Sequence, residues 1–339
     1  MRELSRVTGA PCLLVCALIL TILLAACQPS PALDPGPINL GGGAPAVRLS
    51  VEPDEGVQPV LKFLDGARRT LDVAMYLLSD RQILTALEAA QRRGVKVRVM
   101  LEEHPYGTGP GNTAQFSRLK SAGVAVAWSP ASFTLSHDKY AVADATAALL
   151  GTPNWTVSAF TSNREYLVED TNPDDVKQLV ALFEADWNRQ TAPTDDPNLV
   201  LSPTNSRADF LQLIQSAQRT LDLEAEEMQD SGIEAALNSA AGRGVAVRVI
   251  LPAAAPGPDA NADGRARLGH GGVQVKQLRD LYVHAKDIVA DERLAFVGSE
   301  NISTASLDHN REVGLLIGDP QAIQKLEDTF NRDWTAAKP

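Results

Sequence analysis

Two sets of polar residues recur in one register, and their side chains could do chemistry together. The first holds His137, Lys139, Asp144, Thr152, Asn154 and Glu165; the second holds His284, Lys286, Asp291, Ser299, Asn301 and Glu312. Each member of the second follows its counterpart by 147 residues. A His and a Lys two positions apart point to the same side of a strand, because strand side chains alternate faces. Asn154 and Asn301 add neutral donors and Thr152 and Ser299 add hydroxyls, after glycines that let the backbone approach a ligand closely. Face to face, two imidazoles, two ammonium groups and two carboxamides suit a phosphodiester. Lys and Asn neutralise and hydrogen-bond its non-bridging oxygens as charge grows in the transition state. The two imidazoles divide nucleophilic and acid roles between them.

The repeat reaches well beyond these residues and predicts the elements that position them. Arg69-Thr-Leu-Asp72 answers Arg219-Thr-Leu-Asp222, and Arg93-Gly94 with Arg98 answers Arg243-Gly244 with Arg248, at an offset of 150. Phe183 and Trp187 answer Phe330 and Trp334 at 147. So long a period reads as a duplicated domain. The change of offset falls between Arg98 and His137, where the loops around 105–111 and 256–264 differ in length. Short apolar runs alternate with amphipathic segments, the pattern of an α/β fold. Strands are predicted over 70–77, 95–101, 135–142 and 147–150, with helices over 80–93 and 174–187 and Gly94 at a helix C-terminus. The second repeat follows the same order. Its first domain is expected over 49–190 and its second over 198–337, with the stretch from Pro193 to Pro197 as the joint.

With two HxKx4D motifs in one chain, the sequence resembles the phospholipase D superfamily from about Ser50 to Trp334. The resemblance implies duplicated α/β/α sandwich domains related by a pseudo-two-fold axis, with the active site between them. It also implies metal-independent transfer without a cofactor: one His forms a phosphohistidine and the other protonates the leaving alcohol. His137 and His284 are then the catalytic pair, with attack assigned to His137. Lys139, Lys286, Asn154 and Asn301 bind phosphate, and Glu165 and Glu312 match the imidazole-orienting acids; which His each acid serves stays open. Asp144 and Asp291 read as structural, because a residue five past the Lys has the opposite strand parity. Thr152 departs from the commoner Ser but keeps the hydroxyl. Where the first repeat has Val73-Ala-Met-Tyr76, the second has Leu223-Glu224-Ala-Glu226-Glu227, acids that either face the cleft, where they would welcome a cationic headgroup, or line a solvated edge.

Residues 1–26 read as a secretion signal, with Arg2 and Arg6 before an apolar run from Cys12 to Ala26 too short to span a bilayer comfortably. The run ends Leu24-Ala-Ala-Cys27, which resembles the bacterial lipoprotein cleavage box, so Cys27 is the expected lipid anchor and the chain an exported envelope protein, the alternative being a plain signal peptide cut near Ala26 and a secreted product. All three cysteines lie in this segment, which leaves the mature body without disulfides or thiol chemistry. The Pro- and Gly-rich stretch 28–48 reads as a tether. Loss of Arg2, Arg6 and Glu3 takes the formal charge from −11 to −12, which speaks against holding long polyanions by bulk electrostatics. A monomer acting on phospholipid or another phosphodiester is expected first. An exported nuclease acting on DNA and a non-catalytic envelope protein binding phosphorylated headgroups are the alternatives. His104, His270 and His309 have no repeat partner and read as surface or packing residues, and Trp155, Trp187 and Trp334 as core anchors. No cluster of His, Cys and acids has metal-ligand spacing of its own.

Overall fold

Alternation of apolar side chains along each strand builds two mixed sheets whose inner faces share one core. The computed structural model describes residues 47–192, 196–254 and 257–339. The first half runs β1 (Val47–Glu52), α1 (Gln58–Gly66), β2 (Thr70–Met75), α2 (Arg81–Arg92), β3 (Lys96–Leu101), α3 (Thr113–Ser121), β4 (Ala125–Trp128), β5 (Lys139–Ala143), β6 (Ala147–Gly151), β7 (Asn163–Asp170) and α4 (Pro173–Asn188). The second runs β8 (Leu199–Ser202), α5 (Ser206–Ser216), β9 (Thr220–Ala225), α6 (Ser231–Gly242), β10 (Ala246–Pro252), α7 (Ala262–His270), β11 (Gln274–Leu278), the short β12 (Tyr282–Val283), β13 (Lys286–Ala290), β14 (Leu294–Gly298), α8 (Thr304–Asp308), β15 (Glu312–Ile317) and α9 (Pro320–Ala336). The sheet orders β1-β7-β6-β5-β2-β3-β4 and β8-β15-β14-β13-β9-β10-β11 are the same path twice. The expected duplicated α/β architecture is therefore present. The leader, Cys27 and nearly all of the tether lie outside the described residues, as does part of the joint, at 193–195. Among the described residues no helix is long and apolar enough to cross a membrane.

Each sheet is covered outside by its own helices and inside by the other half. Leu71, Val73 and Met75 of β2 and Ala141 of β5 pack outward with Leu84 and Leu87 of α2. The alternate residues Ala74, Tyr140 and Val142 face a central core that also takes Phe183 of α4, Val289 of β13 and Phe330 of α9. Helix starts follow from side chains: Asp80 accepts the N–H groups of Gln82 and Ile83, and Asp230 those of Gly232 and Ile233. The recurrence of Arg98, Phe183 and Trp187 also has a cause. Arg98 pairs with Asp72 on the neighbouring parallel strand at 2.7 Å while its guanidinium lies over the rings of Phe183 and Trp187, at 4.9 and 5.5 Å. Arg248 repeats this with Asp222, Phe330 and Trp334. These tryptophans are half-buried anchors at the core's edge, and Trp155 is fully buried.

The change of repeat offset is divided. Buried Asn112 and Asn261 do the same work, each bonding the chain after β2 or β9, and stand 149 residues apart. Only one residue of the change thus falls in the Gly-rich loops. The other two fall after β4 and β11, just before the motif histidines.

Two buried ion pairs tie the halves. Arg164 of β7 meets Asp333 of α9 at 2.5 Å, and Arg311, beside β15, meets Asp186 of α4 at 3.0 Å. Arg164 also donates to the carbonyl of Glu52 and Arg311 to that of Ser202. Removing one partner strands a buried charge, which costs about 3–5 kcal/mol, whereas exposed pairs contribute under about 1 kcal/mol. Arg311→Ala is therefore expected to lose about 3–5 kcal/mol in urea unfolding. Arg48→Ala, at the exposed pair with Glu169, is expected to lose less than about 1 kcal/mol; equal losses would contradict this ranking.

Candidate active site

The halves exchange backbone contacts at the two motifs. β12 runs parallel to the start of β7, pairing Tyr282 with Asn163 and Val283 with Arg164, and Ser136 bridges Arg311 in the symmetric place. The His284 N–H then donates to the Arg164 carbonyl at 3.2 Å, and the His137 N–H to the Arg311 carbonyl at 2.8 Å. Each histidine is thus fixed to the residue just before the other half's glutamate. In consequence His137 Nδ1 lies 2.8 Å from Glu312 Oε2, and His284 Nδ1 lies 2.8 Å from Glu165 Oε2. Each acid serves the opposite half's imidazole, the point that the sequence left open. Both carboxylates are fully buried, while each histidine keeps 8% of its surface exposed.

The glutamates are themselves held. Thr152 Oγ1 donates to Glu165 at 2.7 Å and Asn163 Nδ2 donates to it at 3.2 Å. Glu312 accepts from Ser306 Oγ at 2.7 Å and Asn310 Nδ2 at 3.1 Å. This corrects the expectation that Thr152 and Ser299 bind substrate. Thr152 is fully buried and also accepts the Tyr166 N–H, and Ser299, equally buried, accepts the Val313 N–H at 3.0 Å. The glycines before them are explained by strands, not ligand. At Gly151, with φ +152°, a Cβ would stand 2.2 Å from the Tyr166 carbonyl oxygen. Asn163 and Asn310 were missed, although Asn-Arg-Glu recurs at the repeat offset; Ser306 has no counterpart and left no signal.

Lys139 and Lys286 turn back under the histidines. Lys139 Nζ donates to the His137 carbonyl, and Lys286 Nζ to that of His284 at 2.6 Å. Burial pushes Lys139 down to about 8, helped by the charge of Lys286 and opposed by Glu312. Burial likewise lowers His137 to about 4, against the pull of Glu312 and with the push of Lys139 and Lys286. The carboxamide oxygens of Asn154 and Asn301 are buried without a protein hydrogen-bond partner, and their expected part in phosphate binding would use the Nδ2 donors instead. Besides the hydroxyl that holds each glutamate, the symmetry breaks in the wall beside the histidines. Tyr76 packs against His137 in a T-shaped contact with ring centroids 4.4 Å apart. Its counterpart, Glu226, bonds Lys286 Nζ at 2.6 Å and lies 3.4 Å from His284 Nε2.

Several residues fall outside this group. Asp144 accepts the N–H groups of Arg68, Arg69 and Thr70, and Asp291 those of Gln218, Arg219 and Thr220, so both fasten a hairpin turn to the start of a strand. Glu224 is buried against the Tyr166 hydroxyl and faces no cleft. Glu226, already paired with Lys286, is not free to take a cationic headgroup. His104, His270 and His309 are exposed. Among the described residues no group of three or more His, Cys, Asp or Glu side chains is arranged to hold a metal ion.

The family profile "Cardiolipin synthase, PLD-like domain" matches residues 60–187 and again 210–334, one match for each copy of the motif. The chain belongs to the phospholipase D superfamily. It is 36% identical over 141 residues to the mitochondrial cardiolipin hydrolase of Xenopus laevis, a match covering 42% of this chain and 65% of that one. To the cardiolipin synthase of Oceanobacillus iheyensis it is 24% identical over 316 residues, covering 81% of this chain and 65% of that one. The chain thus spans just under two thirds of each relative. The crystal structure of phosphatidylserine synthase from Haemophilus influenzae superposes with a TM-score of 0.69 over 86% of this chain and 87% of that one, at 14% identity, which shows the shared superfamily fold.

The electrostatics give a direct test. Nitrogen-detected NMR titration is expected to find His137 neutral at about pH 6 and the Lys139 ammonium losing its proton near 8. A His137 signal titrating at the ordinary imidazole value, or a Lys139 still charged at about pH 10, would contradict the burial argument.

Proposed function

We propose that this protein is a metal-independent phosphodiesterase of phospholipase D type that hydrolyses or transfers phosphatidyl groups through a phosphohistidine. The crosswise His–Glu pairing carries the reading. It favours Nδ1–H on both imidazoles and makes Nε2 the nitrogen available for the reaction, with Glu226 3.4 Å from that of His284. Neutral His137 attacks phosphorus through Nε2 as the P–O bond to the leaving alcohol breaks, and His284 gives that oxygen its Nε2 proton. His284 then takes a proton from water or an acceptor alcohol, whose oxygen displaces His137 from phosphorus and restores both histidines. Lys139, Lys286, Asn154 and Asn301 bind the phosphoryl oxygens as charge develops. Glu165 and Glu312 orient the imidazoles and balance the charge that forms on them.

The cardiolipin hydrolase and synthase among its relatives and the acidic net charge support a phosphatidyl substrate over a polynucleotide. Because both halves supply the site, one chain is sufficient. The apolar leader ending at Cys27 supports export and lipid anchorage.

A general acid matters when the leaving alkoxide is basic and little when it is a stabilised phenolate. In EDTA, the wild type is expected to release both choline and p-nitrophenol from phosphatidyl esters. His284→Ala should lose choline release by about 10²-fold or more yet keep part of its p-nitrophenol release, whereas His137→Ala should lose both. Activity that vanishes in EDTA and returns with a divalent ion would overturn the metal-independent reading, and a reversed variant pattern would swap the two roles.

A further inference from the structure

The two halves supply their histidines with the same Nδ1 partner, the same lysine and the same backbone anchor. Apart from the hydroxyl that holds each glutamate, they differ in one wall. Tyr76 and Glu226 occupy equivalent places, 150 residues apart, just past β2 and β9. Each wall is braced by a buried asparagine: Asn112 Nδ2 donates to the Tyr76 carbonyl and Asn261 Nδ2 to that of Glu226, both at 2.8 Å. The Tyr76 hydroxyl is turned away, accepting the Tyr106 N–H at 2.6 Å, so on this wall His137 meets a neutral aromatic ring. Glu226 instead presents a carboxylate, fixed by Lys286 at 2.6 Å and by the Tyr282 hydroxyl at 3.1 Å.

His284 therefore lies between two acids, with Glu165 2.8 Å from Nδ1 and Glu226 3.4 Å from Nε2. The Glu226 contact is an ion-pair distance rather than a formed hydrogen bond, and a second carboxylate this close favours the imidazolium. Charge balance points the same way. Facing His284 are Glu165 from β7, Glu226 after β9, Lys286 from β13, whose Nζ also lies 3.2 Å from Nδ1 and opposes a positive ring, and the neutral phenol of Tyr282 from β12. Two carboxylates and one ammonium leave a buried net charge of −1 unless His284 is a cation. Around His137, Glu312 and Lys139 already cancel, and the imidazole stays neutral.

We propose that Glu226 is the positioning residue that divides the labour of the two histidines: it holds the Nε2 proton on His284, making His284 the proton donor and leaving His137 the nucleophile. The proposal rests on the phosphodiesterase reading for its catalytic consequence and on Glu226 alone for the protonation state. Glu226 itself is held well below the ordinary carboxylate range, despite burial, by His284 and Lys286.

Two measurements on the full chain separate these dependences. Nitrogen-detected NMR of the free protein reads the His284 protonation state directly, and Glu226→Gln is expected to favour the neutral ring relative to wild type. Profiles of kcat/KM against pH for phosphatidylglycerol and phosphatidyl-p-nitrophenol in detergent micelles read its use. For phosphatidylglycerol, whose leaving alkoxide needs the acid, the alkaline limb should move down by about one unit in Glu226→Gln, a loss of about tenfold above it, and return in Glu226→Asp. For the p-nitrophenyl ester, the limb should stay. An unmoved His284 titration, or a limb that shifts equally for both substrates, overturns the proposal and leaves Glu226 as a support for Lys286. A wild type that cleaves neither substrate while its His284 titration depends on Glu226 sinks the phosphodiesterase reading instead.

Discussion

Everything in the site depends on one exchanged contact, the backbone pairing that places each histidine beside the chain leading to the other half's glutamate. The His137 and His284 N–H groups are committed to the carbonyls of Arg311 and Arg164. The next residue on each of those strands is the acid that takes the partner's Nδ1. Neither half can orient its own imidazole. The buried Arg164–Asp333 and Arg311–Asp186 pairs fasten the same two strands to the closing helices of opposite halves. The forces that hold the halves together are therefore the forces that aim the imidazole nitrogens, and an error of docking would misplace both rings.

Charge is arranged around that contact with little surplus. Buried carboxylates, ammonium groups and imidazoles survive away from water only when paired, and each half achieves this differently. In the first, one acid and one lysine balance, and burial drives His137 neutral. In the second, an additional acid stands where the first half has Tyr76. Duplication yields two matching histidines, and the wall residue beside each, Tyr76 or Glu226, gives them different surroundings.

Much of this was legible in the sequence because duplication printed the signal twice. The motif residues, the α/β pattern and the structural part of Asp144 and Asp291 follow from spacing and strand parity alone. The crosswise sense of the His–Glu pairs does not, since residues 28 apart within a half and 119 or 175 apart across halves look alike until the strands are docked. Thr152 and Ser299 were misread for a related reason. A hydroxyl in a polar motif suggests substrate, but at these positions both are fully buried beneath the strand that carries the glutamate. The Asn-Arg-Glu triplets were in plain view: their Arg locks the halves and their Asn steadies the acid, functions that only the assembled interface defines.

The central claim is that one site, built from both halves, reacts covalently at His137. Rapid quenching of the wild-type enzyme during turnover of a phosphatidyl ester, followed by peptide mass spectrometry under alkaline conditions that preserve phosphohistidine, tests it directly. The expected result is a phosphatidyl or phosphoryl adduct on the peptide containing His137 and none on that containing His284. An adduct confined to His284, or turnover with no adduct on either histidine, would contradict the account.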